Sequence, residues 1–189
     1  MSGLLVVVSA PSGAGKSSII AGILKNNRLK YHYSVSATTR VPRKGEVDGI
    51  DYCFLSEAEF RQKIDANEFI EWAEVHGYYY GTLREKVERR LSEQYIVVLD
   101  LDVIGARAVK TQYPESSLLI FIVPPSKEVL LKRLRDRATD CEAEIRKRMG
   151  RYDREMSQAK FYDYTVINED LERTILEVEN LIIAACCRK

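Results

Sequence analysis

A glycine-rich loop follows directly after a short apolar segment near the amino end of the chain. The apolar segment is Leu4 to Val8, the loop is Ser9-Ala-Pro-Ser-Gly-Ala-Gly-Lys-Ser-Ser18, and an amphipathic stretch comes next. This order predicts a buried strand, a loop and a helix. That is the context in which the pattern G-x-x-x-x-G-K-[ST] holds nucleotide phosphates.

Each residue type in this loop has a physical reason to contact phosphate. Gly13 and Gly15 let backbone N–H groups turn inward and approach phosphate oxygens, and the helix that follows presents its positive end to the same anion. Lys16 adds a full charge, and the Ser17 hydroxyl can bind the Mg²⁺ that bridges the phosphates of ATP. The predicted ATP-binding residues are Ala10, Pro11, Ser12, Gly13, Ala14, Gly15, Lys16, Ser17 and Ser18, with Ser17 as the metal ligand.

One position departs from the pattern, since Ala10 stands where the first glycine is expected. Replacing this glycine with alanine costs little if the backbone at position 10 does not require a conformation that only glycine adopts easily. The alternative interpretation is a glycine-rich turn between a strand and a helix, but Gly-Ala-Gly-Lys-Ser after a buried strand favours phosphate binding.

Three further apolar runs extend the α/β pattern: Tyr95 to Leu99, Leu118 to Val123 and Tyr164 to Ile167. Near-continuous apolar runs are typical of strands that are buried on both faces. Helical patterns lie between or after them, so strand and helix alternate. The alternation predicts a parallel α/β sheet.

Two segments break this rhythm within what we expect to be a single domain, 1–189. Residues 33–82 are rich in Ser, Thr, Tyr, Gly and charges and predict an inserted, strand-rich subdomain. Residues 127–154 carry ten Lys/Arg against six Asp/Glu and predict a mobile, basic helical lid. The core would then comprise 1–32, 83–126 and 155–189.

Composition limits the partners and the location. The 189 residues include 29 Lys and Arg against 28 Asp and Glu, so the net charge of +1 favours neither a nucleic-acid nor a membrane partner. The four cysteines form no C-x-x-C pair, and no stretch resembles a leader or a membrane span. We expect a cytoplasmic protein with reduced thiols; whether it is a monomer or a homo-oligomer stays open.

A second phosphate clamp is predicted in the inserted segment. Arg40 and Arg43 flank Pro42, which stiffens the turn, and two guanidinium forks suit a phosphomonoester. Tyr52 and Tyr80 could add hydroxyl donors and flat faces for a base.

At these residues the chain resembles the guanylate kinase family from about residue 3 to 183. The shared motifs are Ser-Ala-Pro-Ser-Gly-Ala-Gly-Lys-Ser, Thr-Thr-Arg-x-Pro-Arg, Gly-Glu-x-x-Gly-x-Asp-Tyr, Glu68-Phe-Ile-Glu-Trp72, Tyr79-Tyr-Gly-Thr82 and Leu99-Asp-Leu-Asp102. The resemblance implies a P-loop nucleotide kinase fold: a parallel five-stranded sheet flanked by helices, an inserted strand-rich GMP-binding subdomain and a helical lid. It also implies Mg²⁺-dependent phosphoryl transfer from ATP to GMP, with dGMP expected as a further substrate.

The resemblance also implies roles for individual residues. The guanine readers would be Ser36, Glu71 and Thr82, and the GMP phosphate would be held by Arg40, Arg43, Tyr52 and Tyr80, with Asp100 near the base and metal. Arg137 and Arg148 would be lid arginines, Arg133 would stack on adenine, and Asn168 would lie in the adenine-side loop. The catalytic set would be Lys16, Arg43, Arg137 and Arg148.

Elementary chemistry agrees with part of this set. A carboxylate such as Glu71 can accept both N1–H and the 2-amino group of guanine, which adenine cannot offer. Asp100 follows a predicted buried strand, where open α/β sheets place ligands, whereas Asp102 could simply cap the next helix. An unbroken helix would put Arg137 and Arg148, eleven residues apart, on one face.

Several of these residues have plainer alternatives. Tyr78 and Tyr79 suit a half-buried strand, Trp72 is expected in the core with Phe69 and Ile70, and Glu71 could lie on a solvated strand face. Most charges of the basic segment would be ordinary surface charges. His32 and His76 show no partner pattern for a catalytic or metal role.

Three other functions are weighed against the kinase. A binding module related to guanylate kinase would have lost parts of its ATP machinery, which is intact here. A kinase for another phosphorylated sugar or nucleotide would not need the set Ser36, Glu71 and Thr82. A GTPase switch would need a base reader like Asn-Lys-x-Asp, which the sequence lacks.

Overall fold

The computed structural model describes residues 3–26, 28–75, 77–136 and 141–187. Its strands are β1 (Leu4–Ser9), β2 (Tyr31–Tyr33), β3 (Ala37–Thr38), β4 (Cys53–Phe54), β5 (Phe69–Val75), β6 (Tyr78–Leu83), β7 (Ile96–Asp100), β8 (Ser117–Val123) and β9 (Tyr164–Ile167). Its α-helices are α1 (Lys16–Leu24), α2 (Glu57–Asp65), α3 (Arg84–Ser92), α4 (Val103–Gln112), α5 (Lys127–Asp136), α6 (Glu142–Met156) and α7 (Leu171–Cys187).

The larger sheet has five strands in the order β2-β7-β1-β8-β9, and every neighbouring pair is parallel. The four apolar runs of the sequence are β1, β7, β8 and β9, and the parallel α/β prediction is confirmed. The fifth strand, β2, has the sequence Tyr-His-Tyr and is only partly buried. Because β2 lies at the edge of the sheet and has three residues, no apolar run marks it.

Helices cover both faces of this sheet, because alternate residues of each strand point to opposite sides. On one side Leu4, Val6 and Val8 pack with residues of α1 and α7. On the other side Leu5 and Val7 pack with residues of α3 and α4. All six residues of β1 are buried, which explains the continuous apolar run.

The smaller sheet lies within the segment predicted to be a strand-rich insertion. Its four strands run in the order β4-β3-β6-β5, and α2 packs against it through Phe60, whose ring stacks on Phe69 with centroids 4.3 Å apart. A capping box between Ser56 and Glu59 starts α2. The division of the chain into core, insertion and lid stays a prediction, although Tyr33 belongs to β2 and hence to the larger sheet.

A β-bulge in β5 corrects the expectation for Trp72. The register with β6 shifts between Phe69 and Glu71, so Phe69 and Ile70 are both buried although they are adjacent. Phe69 packs with Phe60, whereas Ile70 packs in the core of the larger sheet. Trp72 is 46% exposed and meets the Tyr79 ring edge to face, so its prediction as a core residue was wrong.

The basic segment is helical, as predicted, with a small apolar cluster of Leu130, Leu134 and Ile145 between α5 and α6. The premise of one unbroken helix from Arg137 to Arg148 was wrong, since Cys141 is extended (φ −77, ψ 161) at the start of α6. Arg137 itself lies outside the described residues. None of the helices in the described part of the chain is long and apolar enough to cross a membrane.

Phe60→Ala should lower the free energy of unfolding by about 3–5 kcal/mol, because it leaves a cavity at a fully buried ring. Trp72→Ala is the matched aromatic control and should cost about 1 kcal/mol or less, since the indole is half exposed. Urea denaturation followed by circular dichroism measures both. Equal losses from the two variants would contradict the burial of Phe60 against β5 and the exposure of Trp72.

Candidate active site

The phosphate loop, residues 10–15, connects the end of β1 to the first residue of α1. Gly13 (φ 95) and Gly15 (φ 98) are left-handed, which other residues adopt only with strain. A Cβ at Gly13 would stand 2.8 Å from a methyl group of Leu134 on α5, so close packing also requires glycine there. Ser17 and Ser18 are exposed in the first turn of α1. The backbone therefore curls around the helix amino terminus, a geometry suited to an anion.

Asn168, just after β9, holds the phosphate loop from behind. Its buried amide donates a hydrogen bond to the Ala14 carbonyl (2.7 Å), and its side-chain oxygen accepts one from the Thr174 hydroxyl (3.2 Å). A Cβ at Gly15 would collide with this amide. The side chain predicted to contact adenine is thus engaged in bracing the loop.

A groove of about 470 Å³ runs beside the phosphate loop, on the side of Asn168. Arg133 lines it and donates to the Asn168 carbonyl (2.9 Å), which places the guanidinium next to the loop. The groove is lined by Gly13, Gly15, Ser18, Arg133, Asp136, Asn168, Glu169, Asp170 and Leu171. Its size and position suit the nucleoside part of a nucleotide whose phosphates lie in the loop.

Lys16 and Asp100 form an ion pair where two strands end side by side. Val8 of β1 is in register with Asp100 of β7, so the loop after β1 and the carboxylate at the end of β7 meet at one edge of the sheet. Both side chains are about one quarter exposed, at 25% and 26%. This edge, at the carboxyl ends of the strands, is where open α/β sheets bind ligands.

Helix α6 approaches the phosphate loop with two residues seven apart, which lie on one face of the helix. Arg148 donates a hydrogen bond to the Ser12 hydroxyl, and Glu155 lines the same cavity as Ser12. Burial raises the pKa of Glu155, and Arg151 opposes this rise. The structure therefore brings Arg148, predicted to be a lid arginine, directly to the loop.

A second cavity, the inter-sheet cleft, lies between the ends of β2 and β7 and the smaller sheet, with a volume of about 250 Å³. Four predicted GMP-binding residues and Asp100 line it together. The lining residues are Tyr33, Ser36, Asp51, Tyr52, Glu71, Ala73, Val75, Tyr80, Gly81, Asp100, Leu101 and Asp102.

Glu71 presents a partly buried carboxylate to this cleft. The hydroxyl of Thr82, its cross-strand neighbour, donates a hydrogen bond to Oε1 (2.6 Å). Burial raises the pKa of Glu71, the Thr82 bond opposes that rise, and the charge of Asp102 adds to it. Thr82 thus fixes one oxygen of the carboxylate and leaves the other open to a further donor.

Arg40 lies beside the cleft and contacts one of its aromatic residues. Its guanidinium carbon lies 5.3 Å from the centroid of the Tyr52 ring, which contacts the Tyr80 ring, and its guanidinium donates to Glu46 at 2.8 Å. The Glu46 bond raises the pKa of Arg40. The rings of Tyr52 and Tyr80 meet edge to face, with centroids 6.0 Å apart. This corner of the cleft combines a positive charge with two hydroxyl groups, as an anion site needs.

Arg43 is not among the described residues that line the cleft. Its side chain is exposed, and its backbone N–H donates to Glu46 (2.7 Å), the carboxylate that also holds Arg40. Glu46 therefore fixes the turn between the two arginines and leaves the Arg43 guanidinium in solvent.

Three lining residues with polar side chains are not among the predicted site residues. Tyr33 ends β2 at the same sheet edge as Asp100, but the short strand hid the signal, and burial raises its pKa to about 12. Asp51 directly precedes Tyr52 in a motif that was already singled out. Asp102 was expected only to cap, and it does so, accepting from the backbone of Ile104 and Gly105 at 2.9 Å, yet it also reaches the cleft.

Comparison with known proteins identifies the family of the chain. The family model described as guanylate kinase matches residues 2–185. The guanylate kinase of Porphyromonas gingivalis is 44% identical over 179 residues, covering 94% of this chain and 95% of the relative, and that of Idiomarina loihiensis is 47% identical over 183 residues, covering 96% and 87%. The crystal structure of guanylate kinase from Anaplasma phagocytophilum superposes with a TM-score of 0.77 at 33% identity, covering 97% of this chain and 86% of that one. The chain belongs to the guanylate kinase family.

Proposed function

We propose that the protein transfers the γ-phosphoryl group of ATP to GMP and releases ADP and GDP. The observation that carries the proposal is the inter-sheet cleft, in which Glu71, held by Thr82, lies near Asp100, the partner of Lys16. One cavity thus joins a carboxylate that suits guanine to the end of the phosphate loop. Family membership supports the same reaction.

Glu71 would read the guanine base. Its ionised carboxylate would accept N1–H and the 2-amino group, with Ser36 in the wall of the same cleft and the buried Thr82 bonded to Glu71. Burial raises the pKa of this carboxyl, so it becomes protonated at a higher pH than an ordinary glutamate does. As the pH is lowered, GMP recognition should therefore be lost at that higher pH. Because Glu71 reads only the base, dGMP should also be a substrate.

The GMP phosphate would be held at the corner formed by Arg40, Tyr52 and Tyr80. Arg43 would swing in from solvent when the phosphate binds, since its side chain is exposed and unattached to the cleft. Two guanidinium groups would then neutralise the acceptor phosphate and orient its attacking oxygen.

ATP would place its phosphates in the loop of residues 10–15 and its base in the groove beside Arg133 and Asn168. Lys16 would exchange Asp100 for the β- and γ-phosphates.

The described residues offer no cluster of three or more His, Cys, Asp or Glu side chains for a metal. The exposed Ser17 hydroxyl fits the usual Mg²⁺ arrangement of one or two protein ligands plus phosphates and waters. When bound, Mg²⁺ supplies charge neutralisation at the phosphates.

Transfer would be a direct in-line displacement. A GMP phosphate oxygen attacks the γ-phosphorus, the bond to the β–γ bridging oxygen breaks, and ADP leaves with that oxygen. The nucleophile is already an anion, so no general base is needed. Lys16, Arg43 and Arg148 would neutralise the charge of the transition state, and Arg137, outside the described residues, stays a predicted fourth member.

The alternatives fit less well. A binding module has no need of the braced phosphate loop or of the Arg148 contact with it. A kinase for another phosphorylated compound has no need of the Glu71–Thr82 pair. A cytoplasmic location and the absence of nucleic-acid partners stay predictions.

A coupled assay for ADP release, with GMP, AMP, dTMP and UMP in parallel, tests the proposed function. GMP should exceed AMP in kcat/KM by a factor on the order of 10⁴, because adenine would leave the Glu71 carboxylate unpaired. A preference for AMP or dTMP would overturn the proposal.

Arg43→Met should lower kcat about 100-fold or more, because it removes a donor that acts on the reacting phosphates. Its fold should be intact, since the side chain is exposed. Lys44→Met is the matched control, as it removes a neighbouring exposed charge and should keep near-normal turnover. Near-normal turnover in Arg43→Met would remove Arg43 from the mechanism.

A further inference from the structure

Helix α4 approaches the carboxylate of Glu71 at a glycine. A Cβ added at Gly105, in the first turn of α4, would stand 3.1 Å from Glu71 Oε2 and 3.4 Å from its Cδ. Gly105 is buried and sits inside a regular helix, where alanine is favoured over glycine. The helix therefore contains glycine, a poor helix former, at the position where a Cβ atom would crowd the Glu71 carboxylate.

The last turn of the same helix holds the backbone of β5 just before Glu71. The Gln112 side-chain amide donates a hydrogen bond to the carbonyl of Ile70 at 2.6 Å. Ile70 lies between the two residues where the register of β5 with β6 shifts. A bulge leaves a backbone group without its ladder partner, and Gln112 provides a partner from outside the sheet.

Arg84, the first residue of α3, completes this clamp. One of its amino groups donates both to the Phe69 carbonyl and to the Gln112 side-chain oxygen, each at 2.9 Å. Gln112 is thus oriented on both sides: its oxygen accepts from Arg84 while its nitrogen donates to Ile70. The orientation fixes the direction in which the chain leaves the bulge toward Glu71.

Gly105 and Gln112 are seven residues apart, which is two helical turns, so both face β5. Asp102 caps the helix at its start through the backbone N–H groups of Ile104 and Gly105. One rigid element therefore controls both the space beside the Glu71 carboxylate and the backbone that carries it.

We propose that α4 sets the guanine specificity of the protein, with Gly105 and Gln112 as positioning residues for Glu71. The inference rests on the proposed function, in which Glu71 reads N1–H and the 2-amino group of GMP. Neither residue is among those that line the inter-sheet cleft. Gly105 sets how far the carboxylate can retreat from the cleft, and Gln112 sets the angle at which it enters.

Gly105→Ala tests the first half. The new methyl group should push the carboxylate by a few tenths of an ångström, which should raise KM for GMP about tenfold and leave KM for ATP unchanged. The melting temperature should stay level or rise, because alanine favours the helix. Gly150→Ala in α6 is the matched control: it also adds a methyl group inside a helix, but nothing lies within 4 Å, so KM for GMP should not change.

IMP as a second substrate distinguishes a displaced Glu71 from a general structural defect of the site. It keeps the N1–H group of GMP and lacks the 2-amino group. A displaced Glu71 should lower the ratio of kcat/KM for GMP over IMP in Gly105→Ala, whereas a merely structural defect would lower both values equally. Gln112→Glu should lower the same ratio, because it keeps the acceptor for Arg84 but sets a carboxylate oxygen against the Ile70 carbonyl.

An unchanged ratio in both variants, with the wild type active on GMP, would overturn this inference and leave the proposed function standing. A wild type without GMP kinase activity would overturn the proposed function itself. A lowered ratio in either variant, with KM for ATP kept, would support α4 as the element that positions Glu71.

Discussion

The parallel pairing of β1 with β7 is the constraint on which the site depends. It sets Val8 level with Asp100, so the phosphate loop and the Asp100 carboxylate emerge at one edge of the sheet. Lys16 then reaches Asp100 from the first residue of α1. Both faces of β1 are buried, and each packs against its own set of helices. A slip by one residue would turn every side chain of β1 to the opposite face, so this packing holds the register. The catalytic centre is thus a consequence of how the core packs.

Elements that are distant in the sequence also hold the phosphate loop in place. Asn168, after β9, braces the Ala14 carbonyl, α5 packs against Gly13, and α6 contacts Ser12 through Arg148. Glu71 in the inter-sheet cleft is held in the same way. Thr82 on the neighbouring strand bonds to its carboxylate, and α4 packs against it. The loop and Glu71, the proposed base reader, are therefore both held by contacts with other elements, which a local motif cannot specify.

Much of this could be predicted from the sequence, and the failures have physical causes. The apolar runs predict four strands because burial on both faces requires them, and the phosphate loop is recognisable because its glycines and lysine serve local geometry. The edge strand β2 was missed because three half-buried residues leave no pattern. Trp72 was misplaced because the bulge at Ile70 changes the alternation of β5, and a bulge has no sequence signal of its own here. The contact between Asn168 and Ala14 could not be predicted, because the two residues are 154 positions apart in the sequence.

In the proposed mechanism, one continuous site binds both nucleotides, and their phosphates meet at Lys16. Calorimetric titration with a single molecule in which adenosine and guanosine are joined by five phosphates, in the presence of Mg²⁺, tests it most directly. If one site binds both nucleotides, one molecule should bind per chain, with a Kd at least about 100-fold below that of GMP and in competition with both ATP and GMP. Binding of two molecules per chain, or a Kd no lower than that of either nucleotide alone, would contradict it.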